Sequence, residues 1–270
     1  MVLTRRALSA LALVVLAVAC RSASERFIEQ ATVRHLRSEV VRGAGFHHLV
    51  LSSPSGRASG RTLHIYLDGD GVPWLGGYPA DDPTPRDPLV LDLLALDPSP
   101  AIYLGRPCYH GLVADSPCTA ALWTSGRYSE AVVESLAGAA GRVRAARGAE
   151  RIVWLGYSGG GALAVLLAGR VAETTAVITV AANLDIDAWA DGLPGGRLAG
   201  SLNPARQPPL PAHVHQRHYA GGRDRTVPVE TAPPAAGLVV VPEYDHRCCW
   251  TRLWPAVLAD LERVERARRD

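Results

Sequence analysis

The sequence contains no lysine, and all 28 of its basic residues are arginines. This absence excludes reactions that need a lysine amine, such as Schiff-base catalysis, and it excludes the phosphate-binding lysine of a P-loop. Methionine and phenylalanine are scarce as well, with one Met and two Phe in 270 residues. We attribute these shortages to a bias in nucleotide composition and infer no function from them.

The sequence also lacks a strong net charge and a basic cluster. Its 28 arginines face 26 acidic residues, so the formal net charge at pH 7 is +2. Such a chain does not favour nucleic acid as a partner. Apolar residues make up 48% of the chain and charged residues 20%, which is typical of a folded protein with a large core. We assign residues 21–270 to a single α/β domain, because this length leaves no room for two domains of full size.

The first twenty residues have the pattern of an export signal. Arg5 and Arg6 precede an apolar run, residues 7–19, which is too short to span a bilayer but suits the apolar core of a signal peptide. The run ends in LAVAC, which resembles a bacterial lipoprotein processing site. We therefore expect lipidation of Cys20 and an exported protein anchored to a membrane, on its periplasmic or outer face. The alternative is an ordinary signal peptide and a soluble periplasmic or secreted protein.

Apolar runs that predict strands alternate with segments of helical periodicity over most of the chain. The predicted strands cover residues 46–52, 62–68, 100–106, 151–156, 175–182, 213–221 and 237–242. The main predicted helices cover residues 87–97, 127–148, 160–170 and 250–269. Several strands are continuously apolar, which indicates a doubly wound, mainly parallel sheet with helices on both faces. Residues 183–212 hold many glycines and prolines and are expected to form an irregular insertion.

The segment GYSGG places Ser158 in a Gly-x-Ser-x-Gly pattern between a predicted strand and a predicted helix. In this context a serine sits on a strained turn, its Oγ projects above the sheet, and small neighbours let strand and helix approach closely. The N-terminus of the following helix stabilises negative charge beside it. The pattern therefore predicts a nucleophile at Ser158 rather than a simple tight turn.

A nucleophilic serine needs a base, and the base needs an acid to orient it. His246 lies in the segment between the last predicted strand and the final helix, where such a base is expected. Asp224 lies just beyond the preceding strand, in the segment GGRDRTVP, and is the expected acid. Asp185 follows an earlier strand and is the alternative acid.

Eight segments carry a family resemblance that covers roughly residues 46–269. They are IYLDGDGVPW, DPTPRDP, GRPCYH, WTSGRYS, GYSGGGALA, VAANLDIDAW, GSLNP and GGRDRTVP. In these segments the chain resembles the α/β-hydrolase superfamily, and more closely a group of exported bacterial α/β-hydrolase lipoproteins without an assigned substrate. The resemblance implies a serine-dependent hydrolase but names no substrate. We expect hydrolysis of a small-molecule ester through an acyl-enzyme, with an amide or thioester as the alternative bond, and we expect no metal or organic cofactor. The alternatives are a lipid-anchored binding or scaffold protein without turnover, and a peptidase or acyltransferase with the same triad.

The loop after the second predicted strand is expected to complete the site. A dinucleotide-binding fingerprint would need glycine where Trp74 stands, so this loop does not predict a nucleotide cofactor. In a serine hydrolase this loop supplies one donor of the oxyanion hole. We therefore expect the backbone N–H groups of Gly159 and Asp70 to form the oxyanion hole. The side chain of Asp70 is expected to point away or to pair with an arginine such as Arg106. Four aromatic residues are candidates for an acyl pocket or for core packing, namely Trp74, Trp123, Trp189 and Tyr78.

Four cysteines follow the N-terminal segment, and their spacing matches no zinc-binding pattern. In an exported chain they predict disulfides. We expect a bridge between Cys108 and Cys118, because the segment between them contains turn-forming Gly and Pro, and closing a loop of this length stabilises by about 2.5–3 kcal/mol. Cys248 and Cys249 then form a bridge with each other or leave a reduced thiol. The alternative pairing joins Cys108 or Cys118 to that adjacent pair.

Overall fold

The computed structural model of the protein describes residues 21–53, 61–114, 117–191, 198–233 and 237–268. The predicted signal segment, with Cys20, lies outside the described residues. The α-helices are α1 (Ala23–Val33), α2 (Leu89–Ala95), α3 (Glu130–Ala146), α4 (Gly159–Ala168), α5 (Ile186–Ala190) and α6 (Trp250–Ala267). The strands are β1 (Arg37–Arg42), β2 (His47–Ser52), β3 (Thr62–Leu67), β4 (Trp74–Leu75), β5 (Tyr78–Pro79), β6 (Ala101–Leu104), β7 (Arg151–Tyr157), β8 (Thr174–Val180), β9 (His215–Gly221) and β10 (Leu238–Val241).

Eight of the described strands form one sheet, in the order β1-β2-β6-β3-β7-β8-β9-β10. β2 runs antiparallel to both of its neighbours, and every other neighbouring pair from β6 to β10 is parallel. This confirms the predicted α/β fold with a mainly parallel sheet. β4 and β5 pair only with each other and form a separate hairpin.

Helices cover both faces of the large sheet. On one face, α1, α2 and α6 bury Phe27, Leu91 and Trp254, each at most 2% exposed. On the other face, α3 and α4 bury Leu136 and Leu163 completely. Covering both faces removes the strands from water, which explains their continuously apolar sequences. In the described part of the chain, no helix is both long enough and apolar enough to cross a membrane.

Two regions differ from the sequence-based prediction. Residues 37–42 form strand β1, although their polar sequence predicts only an amphipathic lead-in. β1 lies at the edge of the sheet and its side chains are mostly exposed, so it lacks the apolar pattern that identifies a buried strand. The predicted irregular insertion covers residues 183–212. Its described residues, 183–191 and 198–212, are irregular apart from α5 and a short 3₁₀ turn at Pro204–Arg206.

The parallel strands bring the candidate residues to one edge of the sheet. The carboxyl ends of parallel strands lie at the same edge, where α/β proteins bind their ligands. Asp68 and Asp70 follow β3, and Ser158 follows β7. Asp224 follows β9, and His246 lies between β10 and α6. Residues separated by almost 180 positions in the sequence therefore converge on one site.

Candidate active site

Ser158 occupies a sharp turn between β7 and α4. Its backbone angles are φ 53° and ψ −127°, a conformation that few residues with a side chain adopt. Such a residue costs about 1–3 kcal/mol and persists only where the surroundings hold it in place. The Ser158 backbone N–H donates to the carbonyl of Val180 on the neighbouring strand, with an N···O distance of 2.9 Å.

Two glycines make this turn possible through close backbone approaches. A Cβ on Gly160 would lie 2.2 Å from the carbonyl oxygen of Leu67, where α4 passes the end of β3. A Cβ on Gly156 would lie 2.4 Å from the Gly160 carbonyl oxygen. Real Cβ atoms do not approach so closely, so the glycines of the pattern are required by packing. The serine is thereby set at the start of α4, where unsatisfied amides favour negative charge.

Asp224 and His246 form the pair that the sequence predicts. Asp224 is 6% exposed, and its Oδ2 accepts a hydrogen bond from His246 Nδ1 at 2.8 Å. Its Oδ1 accepts from the backbone N–H groups of Thr226 and Val227, both at 2.8 Å, so the carboxylate cannot rotate freely. With Nδ1 bound to the carboxylate, Nε2 is the imidazole nitrogen left to act as a base. The His246 ring packs against Tyr157, with 5.1 Å between ring centroids.

Asp185, the alternative acid, has a different role in the structure. Its Oδ1 accepts hydrogen bonds from the backbone N–H groups of Asp187 and Ala188 and thereby caps α5. The same oxygen accepts from Asn203 Nδ2 at 2.8 Å, which ties α5 to the residues that follow it. Among the contacts of the described residues, none joins Asp185 to His246. The geometry therefore favours Asp224 as the orienting acid.

Asp70 is held in a buried network of two arginines and two tyrosines. Its carboxylate accepts from Arg106 Nη2 and Arg127 Nη1, each at 2.8 Å, and from the Tyr128 hydroxyl at 2.6 Å. The Tyr109 hydroxyl donates to the backbone carbonyl of Asp70 at 2.9 Å. Burial opposes ionisation of Asp70, but the charges of Arg127 and Arg106 outweigh it and hold its pKa below the usual range. The expected pairing with Arg106 is present. No comparable feature of the sequence points to Arg127.

Asp68 differs sharply from Asp70, although both belong to the same loop. Its Oδ1 accepts from the Gly69 backbone N–H at 2.8 Å, while its Oδ2 is buried and has no hydrogen-bond partner among the described residues. Burial raises the pKa of Asp68 to about 7. A substantial fraction of this carboxyl is therefore neutral near pH 7, which reduces negative charge beside the expected anion hole.

The Asp68–Asp70 loop lies directly against the serine. A Cβ on Gly69 would lie 3.2 Å from Ser158 Cβ and 3.6 Å from its Oγ. A Cβ on Gly159 would lie 1.9 Å from Asp70 Oδ1, so the two expected donor residues are neighbours in space. Within the described chain, neither the Gly159 nor the Asp70 backbone N–H is bonded to a protein acceptor. Neither N–H group therefore has a competing protein acceptor in that part of the chain, as a donor of an oxyanion hole requires.

Ser158 and His246 line one cavity of about 940 Å³. Much of its wall is apolar, with contributions from Val72, Pro73, Trp74, Trp189 and Leu198. Its charged lining residues are Asp68, Asp70, Arg86, Asp87, Arg127 and Arg247. A cavity of this size accepts a ligand of drug size or larger.

The four aromatic candidates for an acyl pocket separate into three groups. Trp74 and Trp189 line the cavity. Trp123 is 6% exposed and packs in a cluster with Phe46, Cys108 and Tyr109, so it serves the core. Tyr78 is 76% exposed and lies outside the cavity lining. Two of the four residues therefore line the cavity that holds Ser158, and the assignment of an acyl pocket stays a prediction.

The predicted bridge between Cys108 and Cys118 is present. It belongs to the Trp123 cluster, in the segment that also supplies Tyr109 to the Asp70 network. Cys248 and Cys249 are bonded to each other, so neither joins the first pair. Among the described residues, no group of three or more His, Cys, Asp or Glu residues could hold a metal ion.

Comparisons with known proteins bear on the fold. No protein-family model matches the chain, and no curated protein matches it. Among solved structures, it is similar to an α/β serine hydrolase without a lid from Xanthomonas campestris, with 14% identity, a TM-score of 0.52 and coverage of 86% of this chain and 94% of that one. It is also similar to the Pyrococcus furiosus esterase Pf2001, with 16% identity, a TM-score of 0.57 and the same coverage. A bacterial membrane phospholipase A matches over 97% of this chain and 99% of that one, with 17% identity and a TM-score of 0.54. Together with the strand order, these similarities establish that the chain has the α/β-hydrolase fold.

Proposed function

We propose that the protein is a serine hydrolase that cleaves carboxylic esters through an acyl-enzyme. One arrangement carries this proposal. Ser158 projects from a strained turn into the cavity that His246 also lines, and the buried carboxylate of Asp224 holds the imidazole of His246 by its Nδ1. Acyl transfer requires a nucleophile, a base and an acid that orients the base, and the chain order Ser, Asp, His is the order found in α/β hydrolases.

In this mechanism Ser158 Oγ attacks the ester carbonyl carbon while His246 Nε2 takes the hydroxyl proton. The backbone N–H groups of Gly159 and Asp70 stabilise the negative oxygen of the tetrahedral intermediate. His246 then gives the proton to the leaving alcohol, and the acyl group stays on the serine. Water attacks the acyl-enzyme with His246 again as base, which releases the acid and restores the serine. Asp224 fixes the imidazole tautomer and stabilises its charged form.

A triad with oxyanion donors can act on esters and on amides. We propose esters because an alcohol is a better leaving group than an amine. Support also comes from the Pyrococcus furiosus protein of the same fold, which is an esterase. Peptide cleavage and acyl transfer use the same triad and are the alternatives to be tested. A scaffold role without turnover gives no reason for the strained turn at Ser158.

A panel of soluble esters of increasing acyl length, with matched amides, tests this proposal. The wild-type chain should hydrolyse esters, and Ser158→Ala should lower kcat by about 10³- to 10⁶-fold without loss of the fold. Ser125→Ala is the matched control, because Ser125 lines the same cavity and should leave kcat nearly unchanged. Equal turnover by wild type and Ser158→Ala would refute the mechanism. Faster cleavage of amides than of esters would assign the site to peptidase or amidase chemistry.

We also propose that the protein is exported and anchored to a membrane through a lipid on Cys20. The support is the sequence of residues 1–20, with its two arginines, its short apolar run and its terminal LAVAC. Disulfides suit such a location, because they persist in oxidising compartments. The anchor places the enzyme close to lipid but does not by itself select the substrate.

A further inference from the structure

The hairpin formed by β4 and β5 exposes large apolar side chains. Trp74 is 48% exposed, Leu75 57% and Tyr78 76%. They flank a turn of two glycines and pair only across the hairpin itself. Of the seven large hydrophobic residues that are exposed in the described chain, three lie within residues 74–78. An exposed concentration of this kind marks an interaction site.

The hairpin is continuous with the cavity that holds Ser158. Trp74 and Gly77 line that cavity, while Leu75 and Tyr78 lie outside its lining. The wall next to the hairpin is apolar, formed by Val72 and Pro73. An acyl chain can therefore pass from the hairpin surface to the serine along apolar side chains, without being transferred through bulk water.

A positive charge stands at the same rim. Arg86 is exposed and lines the cavity, and no carboxylate of the described residues pairs with its guanidinium. An arginine in this position complements a phosphate group, which it can bind through two parallel hydrogen bonds. The neighbouring Asp87 also lines the cavity and pairs with Arg247. The lining thus combines apolar side chains with the cation of Arg86, unpaired within the described chain, a combination that suits lipid surfaces with anionic headgroups.

We propose that the β4–β5 hairpin is a lipid-docking surface that inserts into the boundary between headgroups and acyl chains, and that the substrate is an acyl ester drawn from that lipid layer. The proposal rests on the ester hydrolysis proposed above. A protein partner is less suitable, because a specific interface involves about 20–30 residues on each side, and the hairpin at residues 74–79 has six. A small hairpin with Trp and Tyr suits a lipid interface, because the amphipathic rings of these residues favour the boundary between lipid and water.

Quenching of Trp74 tests the docking surface independently of catalysis. The probe is vesicles of phosphatidylglycerol with brominated acyl chains, added to the full chain and to its Trp74→Phe variant. We expect the brominated chains to quench part of the tryptophan emission of the wild type. In Trp74→Phe this quenching should disappear. Ser158→Ala should be quenched as the wild type is. Equal quenching of wild type and Trp74→Phe would overturn the proposal. This conclusion holds even if the N-terminus attaches the chain to the vesicle.

Hydrolysis by Leu75→Ser/Tyr78→Ser tests the link to substrate. This variant should cleave a monomeric short-chain ester within about twofold of wild type, because neither residue lines the cavity. It should cleave an ester embedded in phosphatidylglycerol vesicles at least about tenfold more slowly, since two apolar side chains no longer insert. Val33→Ser/Val240→Ser, which removes exposed apolar side chains elsewhere, is the control and should leave both rates unchanged.

The outcomes separate the two proposals. Equal losses on monomeric and embedded ester would contradict a docking role for the hairpin. A dimer that dissociates in Leu75→Ser/Tyr78→Ser, without quenching by brominated lipid, would assign the hairpin to a second copy of the chain and overturn the lipid proposal. If the wild type cleaves neither ester while Trp74 is still quenched, the proposed function fails and the docking surface stands.

Discussion

Asp68 and Asp70 lie two residues apart, yet their surroundings drive their ionisation in opposite directions. Asp68 is buried without a cation bonded to it, and burial raises its pKa to about 7. Asp70 is also shielded from water, but Arg127 and Arg106 keep its pKa low. The loop can therefore approach the serine without placing two full negative charges beside the expected oxyanion.

Replacement of Asp70 should be costly, because it leaves two arginines buried without their carboxylate. Arg106 and Arg127 are 4% and 6% exposed. We expect Asp70→Asn to lower the free energy of unfolding by about 3–5 kcal/mol, as measured in urea. Glu150→Gln is the control, since Glu150 pairs with Arg61 at the surface and should change stability by less than about 1 kcal/mol. Similar effects for the two variants would contradict a structural role for the Asp70 network.

The identity of the orienting acid is tested by comparing two aspartates. Asp224→Asn should lower kcat for ester hydrolysis by about 10⁴-fold, because the amide no longer fixes the imidazole tautomer. Asp185→Asn should have a much smaller effect, since Asp185 caps α5 and is not bonded to His246. Steady-state kinetics on one soluble ester gives both values. The reverse ranking would assign the acid to the loop after β8.

At the scale of elements, β3 leads to the site at its carboxyl end and also carries a buried histidine, His64. His64 Nδ1 lies 2.7 Å from Asp97 Oδ2, and His64 Nε2 lies 3.9 Å from Glu265 Oε2 on α6. The same Asp97 oxygen accepts from the Tyr66 hydroxyl at 2.7 Å. Burial opposes a charge on His64, but Asp97 and Glu265 outweigh it and raise its pKa to about 9. This cluster ties β3 to the residues after α2 and to α6, away from the serine.

The raised pKa of His64 predicts a pH dependence of stability. A group whose pKa is higher in the folded state stabilises fully below its unfolded pKa of 6.5, and the contribution is lost as pH rises through about 9. The shift corresponds to about 3 kcal/mol. We expect the free energy of unfolding to fall between pH 6.5 and 9.5 in wild type and to fall less in His64→Gln, by urea titration at each pH. Parallel curves would contradict a charged His64.

The sequence predicts the inner strands of the large sheet better than the exposed edge strand β1 and the separate β4–β5 hairpin. The seven predicted strands correspond to strands of the large sheet, and most of them carry an apolar run; β9, with the sequence HQRHYAG, is the clearest exception. β1 was not predicted, since its exposed edge position leaves Arg and Glu in the pattern. The β4–β5 hairpin was not predicted either, because two-residue strands around Gly76 and Gly77 have no periodicity.

In the candidate site too, some residues could be predicted from the sequence and others could not. Ser158, Asp224 and His246 could be predicted, because each follows a recognisable strand in a fixed order. The partners of Asp70 could not, apart from Arg106. Arg127 and Tyr128 lie 57 and 58 residues from Asp70 in the sequence, and only the folded sheet brings them together.

At the scale of the whole molecule, we propose that the N-terminal segment determines where the protein is located. We expect the mature protein to begin at a lipidated Cys20, because LAVAC follows a basic segment and a short apolar run. Mass spectrometry of the N-terminal peptide from the native host measures this directly. Cys20→Ser should release the protein from the membrane fraction. A mature N-terminus at another residue without lipid would refute the anchor.

The central claim is that Ser158 is a nucleophile activated by His246, and covalent labelling tests it most directly. The chain is treated with a fluorophosphonate, which reacts with activated serines, and the modified residue is located by peptide mass spectrometry. We predict a single adduct on Ser158, formed at least about 10³-fold more slowly in His246→Ala. Absence of labelling, an adduct on another serine, or labelling of Ser158 at the same rate in His246→Ala would contradict the account.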